Sequence, residues 1–218
     1  MDAVVKKLLR EAGRTYAEEA GILVKDQPAP LFRLLVLSNL LSARVSAEIA
    51  VNAARELFEA GGGTARGLLR MTWQDRVDAL GRGHYARYDE STATYLGDMA
   101  ELAQDKYGGD LRRLARDSGR DPQRASELLR EFPGMGPTGV SIFFREAQAV
   151  WPWLRPHLDE PALKGAERLG LPTDPKRLAD MVPEKEMARF AAALVRVSKD
   201  EELAESITAG RRVASGRR

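Results

Sequence analysis

The chain has 218 residues, of which 44% are hydrophobic and 30% charged, with a formal net charge of +2 and a sequence pI near 8.9. This composition fits a soluble globular protein of one domain or two small ones and excludes a disordered chain. There is no cysteine, which excludes disulfides, cysteine-ligated zinc and iron–sulfur clusters, and the two histidines, His84 and His157, are too few for a histidine-rich metal site.

The pattern is helical almost throughout. Val4, Val5, Leu8, Leu9, Ala12 and Tyr16 recur at helical spacing among Lys6, Lys7 and Arg10. Pro28 and Pro30 fall in a break, after which Leu31 to Leu41 read as a strongly apolar helix buried on most sides. Ser46 is placed to cap the next helix, which runs to the Gly61-Gly62-Gly63 stop. Thr72 and Asp75 form a capping-box pattern with Asp in the acidic role. A break at Gly81-Arg82-Gly83 precedes a long helix from about Ser91 to Tyr107, which Gly108-Gly109 ends. Asp121-Pro122, Asp174-Pro175 and Pro183-Glu184 each open a further helix. Leu178, Met187, Phe190, Ala191, Leu194 and Val197 recur as core positions near the C-terminus. Residues 211–218 read as a basic flexible tail. The fold class is all-α, with about a dozen helices. No apolar run is long enough to span a bilayer, and the N-terminus has no secretory leader pattern, so the cytoplasm is the expected compartment.

Two segments carry chemistry. In the first, Phe132-Pro133-Gly134-Met135-Gly136 interrupts helical stretches at 122–131 and 138–149. Two glycines flank one apolar residue, and a helix starts at once. Met135 is placed to plug the helix pair, while the free N–H groups at the new helix start suit a phosphate oxygen. A tight turn between packed helices, without a ligand, explains the same residues equally well. In the second segment, Asp159 precedes a helical pattern with Pro161 in its first turn. A helix N-cap accounts for it. A carboxylate fixed and kept ionised at a helix start is also suited to catalysis.

Four segments, in order, resemble the helix-hairpin-helix DNA glycosylases of the endonuclease III type. Leu40-Leu41-Ser42-Ala43-Arg44 is similar to their L-L-S-A-Q, and Tyr88-Asp89-Glu90-Ser91-Thr92-Ala93 to their L-Y-N-S-K-A. The hairpin is similar to L-P-G-V-G-x-x-T-A, and Leu158 to Leu171 to V-D-T-H-x-x-R-V-x-x-R-L-G-L. Together they cover about residues 30 to 171. The departures are specific. Thr138 stands where bifunctional members carry the Schiff-base lysine, Pro161 replaces a histidine, Arg44 replaces the glutamine wedge, and the four-cysteine cluster loop is missing.

The resemblance implies two helical lobes with a DNA-binding cleft between them. Residues 31–149 would form one, ending in the helix-hairpin-helix at about 122–149, and residues 1–30 with 150–210 the other. It implies a monofunctional DNA glycosylase of base-excision repair. Asp159 would be the catalytic residue, stabilising an oxocarbenium-like sugar and directing water, with strand cleavage weak or absent for want of the lysine. Gly134, Met135, Gly136, Thr138, Gly139, Arg44 and Lys164 are the expected DNA contacts, with Arg130 and Arg145 as further basic groups near the hairpin. His84, Tyr85, Tyr88, Trp151 and Trp153 are the candidate walls of a pocket for a flipped base. For each aromatic, core packing is the competing explanation; for Arg44 and the other basic residues it is a solvated surface position. The expected partner is double-stranded DNA, bound by a monomer in the cytoplasm or on a bacterial nucleoid. No cofactor, metal or membrane is expected, although a monovalent cation would suit the hairpin. With charge this balanced, a DNA-binding face requires segregated basic residues. The alternatives are a non-catalytic helix-hairpin-helix protein that binds damaged or distorted DNA, and a helical protein-interaction domain.

Overall fold

The structure, a computed structural model, describes the backbone of residues 1–215 and the side chains of residues 1–209. Among the described residues every regular element is helical. In chain order these are α1 (Ala3–Ala12), α2 (Tyr16–Glu19), α3 (Pro28–Ser42), α4 (Ala47–Leu57) with a π-helical turn at Phe58–Gly62, α5 (Ala65–Arg70), α6 (Trp73–Arg82) and α7 (Asp89–Tyr107). There follow α8 (Arg112–Asp117), α9 (Pro122–Leu129), α10 (Pro137–Ala147), α11 (Glu160–Arg168), α12 (Pro175–Ala179), α13 (Met187–Lys199) and α14 (Glu201–Ser215), with 3-10 turns at Pro152–Leu154 and Glu184–Glu186. No helix among the described residues is long and apolar enough to cross a membrane. The basic side chains read as a tail at 211–218 lie outside the described residues.

The chain divides into two compact units. One is Tyr16–Trp153; the other joins Met1–Thr15 to Leu154–Arg218.

In Tyr16–Trp153, α3 is the central element. Leu31, Phe32, Leu34, Leu35, Val36, Leu37 and Leu40 are buried, so the helix is covered on all sides. It packs on α4 and α10. Its start differs from the sequence expectation. Pro28 and Pro30 lie in its first turn rather than in a break, because first-turn N–H groups have no helical acceptor to lose. The caps at Ser46, Thr72 and Asp121 form as expected. Thr72 Oγ1 accepts from Asp75 N while Asp75 accepts from Thr72 N at 2.8 Å. The long α7 starts at Asp89, two residues before the expected Ser91, and ends on Gly108 at φ +63. The short helix α8 has no counterpart among the elements expected from the sequence.

In the other unit, α1, α11, α12, α13 and α14 share a core that includes Leu8, Ala162, Leu178, Met187, Phe190, Ala191, Leu194 and Val197. The helical run expected to reach Tyr16 stops earlier, at Gly13, whose N–H donates to Leu9 O at 3.1 Å. Arg189 secures that end by donating from Nε to Gly13 O at 3.1 Å. α11 and α13 approach closely at Gly165, where a Cβ would stand 1.9 Å from Leu194 O. Only a residue without a side chain permits that separation.

Candidate functional site

The hairpin is assembled by two consecutive short turns. Phe132 N donates to Leu129 O at 3.2 Å, and Met135 N donates to Phe132 O at 3.0 Å. Phe132 is buried and stacks on Tyr107, with ring centroids 6.0 Å apart, which anchors the turn to the end of α7. Met135 is 3% exposed and fills the space beside Gly139, where a Cβ would lie 3.0 Å from its Sδ.

The two hairpin glycines serve different ends. Gly134 has φ +76, and a Cβ there would stand 2.4 Å from Asn39 Nδ2, so the fold itself requires glycine. Gly136 has φ −82, and a Cβ there would meet nothing within 4 Å. It is the N-cap of α10 and has no side chain to cap with; Pro137 follows at the first helical position, without an N–H. Val140 N is the first to return a bond, to Gly136 O at 3.1 Å. The amides of Gly136, Thr138 and Gly139 have no acceptor among the described residues. Gly136 and Thr138 are exposed, whereas Gly139 is buried against Met135 and Ser42. An uncapped helix start bordered by open space can accept an anion.

α3 holds this hairpin from one side. Asn39 Nδ2 donates to Pro133 O at 3.4 Å, and Ser42 Cβ lies 3.6 Å from where a Gly139 Cβ would stand. Two residues after Ser42, Arg44 is exposed in the link between α3 and α4 and makes no ion pair among the described residues. The contact at Ser42 sets the end of α3, two residues before Arg44, against the start of α10. Tyr95 of α7, 45% exposed, closes the other side of Gly134. The sequence reading missed Asn39 and Tyr95. The available signal was a polar Asn inside the apolar run of α3, since a polar residue in a buried helix needs a partner.

The remaining candidates scatter. Arg130 is exposed at the C-cap of α9, but Arg145, expected near the hairpin, is 3% exposed. Eight residues of helix separate it from Pro137, about 12 Å along α10. His84 is exposed at φ +63, two residues after the end of α6. Tyr85 is a core residue, 1% exposed; its phenol hydrogen-bonds the Thr92 side chain and is pushed up by burial. Tyr88 is half-buried, with the Arg87 guanidinium 5.3 Å over its ring. Trp151, 3% exposed, and Trp153, half-buried, stack at 5.2 Å. They follow the C-terminal end of α10, a helix about 16 Å long whose N-terminal end carries the hairpin.

In the unit Met1–Thr15 with Leu154–Arg218, Asp159 is the N-cap of α11. It is half-buried, and its Oδ1 accepts from Ala162 N at 3.2 Å, with Pro161 in the first turn. Lys164 is exposed and pairs with Glu160 at 2.6 Å, holding that carboxyl below its usual range.

No family model matches this sequence, and no curated protein matches it. Solved structures do. The chain is similar to endonuclease III in a non-covalent complex with DNA, with TM-score 0.53 and 18% identity over 88% of this chain and 79% of that one. It is also similar to endonuclease III in a trapped covalent intermediate with DNA and an estranged adenine, with TM-score 0.48 and 17% identity over 88% of this chain and 83% of that one. At such identity the likeness is one of architecture: this chain has the all-helical fold of endonuclease III.

Proposed function

We propose that this protein is a monofunctional DNA glycosylase of base-excision repair. The hairpin 132–136 and the exposed amides at the start of α10 hold a phosphate of duplex DNA, and Arg44 enters the space left by a flipped base. At the sugar, Asp159 stabilises the positive charge that develops as the bond to the base breaks, and orients the water that adds to the anomeric carbon. Thr138 has no amine, so no Schiff base forms, and the product is an intact strand with an abasic site. The observation that carries this reading is Gly136, which is left uncapped beside open space although its backbone angles would admit any residue. The DNA bound by endonuclease III in the similar structure supports the same reading.

The test is base release from duplexes carrying varied lesions, with Asp159→Asn as the control and alkali added only after the reaction. Release by the native protein alone, with strand breaks appearing only after alkali, supports the proposal. If the native protein releases no lesion faster than a protein-free control, catalysis is excluded. A second reading, a binder of damaged or distorted DNA, is favoured by the bond from Ala162 N to Asp159, which accounts for the carboxylate as a cap. That protein shows a steep salt dependence of binding and no chemistry.

A further inference from the structure

The stacked tryptophans belong to a cavity at the far end of α10 from the hairpin. Arg112 and Arg116 lie four residues apart on α8 and so project from one face, and Arg120 follows just beyond that helix. With Asp26, Trp151 and Trp153 they line a cavity of about 450 Å³, the size of a small-molecule site.

The charges in it are unequally engaged. Arg112 is taken up by Asp110, with Nη2 at 2.7 Å from one carboxylate oxygen and Nε at 2.9 Å from the other. Asp26 accepts from Trp151 Nε1 at 3.0 Å and lines the same cavity as Arg112, whose guanidinium is pushed up first by its hydrogen bond to Asp110. Arg116 and Arg120 are exposed and make no ion pair among the described residues. The cavity thus offers two uncommitted guanidiniums, an aromatic wall and one carboxylate whose second oxygen remains available. Indole faces with adjacent guanidiniums are the chemistry that holds a base and its phosphate.

We propose that this cavity binds a single nucleotide, with phosphate on Arg116 and Arg120, the base against Trp153, and Asp26 accepting from an exocyclic amine. The occupant is either a free nucleotide or one unstacked from a DNA strand. The site is separate from the hairpin and does not depend on the glycosylase reading.

The chain has three tryptophans, Trp73, Trp151 and Trp153, so Trp73→Phe leaves only the two reporters in the cavity. Their fluorescence is followed while deoxyadenosine monophosphate, a short single-stranded oligonucleotide or inorganic phosphate is added. A saturable change is expected with the mononucleotide, the oligonucleotide or both, and the responding probe identifies the source. Arg116→Glu should weaken that binding at least about tenfold, the effect of one charged hydrogen bond. Arg120→Ala is a milder second variant, and circular dichroism confirms that each folds. The proposal is overturned if neither nucleotide probe gives a saturable change, if inorganic phosphate binds as tightly as they do, or if both folded arginine variants bind as the parent does.

Discussion

The side-chain amide of Asn39 donates to the carbonyl of Pro133 at 3.4 Å, across 94 residues of sequence, and fills the space that any side chain on Gly134 would need. The interior helix α3 thereby supports the hairpin from behind. Gly136 and Thr138 at the start of α10 remain exposed, and their amides have no acceptor among the described residues.

The two hairpin glycines separate structural from ligand-binding demands. Gly134→Ala combines a strained φ with a clash against Asn39 and should destabilise the protein by about 1–3 kcal/mol in denaturant unfolding. Gly136→Ala meets no contact and should cost no more than about 1 kcal/mol, the penalty of alanine at a helix N-cap. Its DNA affinity, read by anisotropy, should nevertheless fall about tenfold, the equivalent of one charged amide–phosphate hydrogen bond. Unchanged affinity would mean that Gly136 does not meet the phosphate.

Asp159→Asn distinguishes a cap from a catalyst. Asparagine caps a helix about as well as aspartate, so thermal stability should barely move, whereas Asp159→Ala should cost about 1 kcal/mol. Base release by Asp159→Asn should drop by roughly 10²- to 10⁴-fold, because the amide cannot take a proton from water or balance the sugar's charge. Full activity in that variant would remove Asp159 from the mechanism.

Gly165→Ala should loosen the α11–α13 contact. The added methyl would meet the Leu194 backbone oxygen, which cannot rotate away as a side chain could. A loss of about 1–3 kcal/mol is expected in urea unfolding, with hydrogen exchange rising first in α11 and α13.

The capping box of α6 makes a pH signature. Asp75 is held below its usual 3.8 by hydrogen bonds from the Thr72 side chain and backbone. A lowered folded value means its contribution is complete above the unfolded value and is lost as pH falls through the folded one. Melting temperatures of the native protein and Asp75→Asn should therefore differ at pH 7 and converge as the medium is acidified. A constant difference across that range would contradict the assignment.

Much of the helical layout is legible in the sequence because the signals are local. Thr72 and Asp75, Asp121-Pro122 and Gly108 act within one turn of the helix ends they define. The hairpin is legible for the same reason, since its glycines and the start of α10 are contiguous. The start of α3 was misjudged because proline serves equally in a break and in a first turn, and local pattern does not distinguish them. The short helix α8 went unseen because its six residues hold too few apolar positions to show a period.

The sequence alone determined that this protein is all-helical, that residues 132–136 form a hairpin between helices, and that Asp159 begins a helix, since each follows from backbone preferences over a few residues. Tertiary structure alone decided the company these groups keep. It set Asn39 and Tyr95 against Gly134, buried Tyr85 and Arg145, and joined Trp151 to Asp26 across 125 residues among the arginines of α8. Those pairings depend on which helix faces bury together, and burial is a property of the packed chain rather than of any short stretch of it.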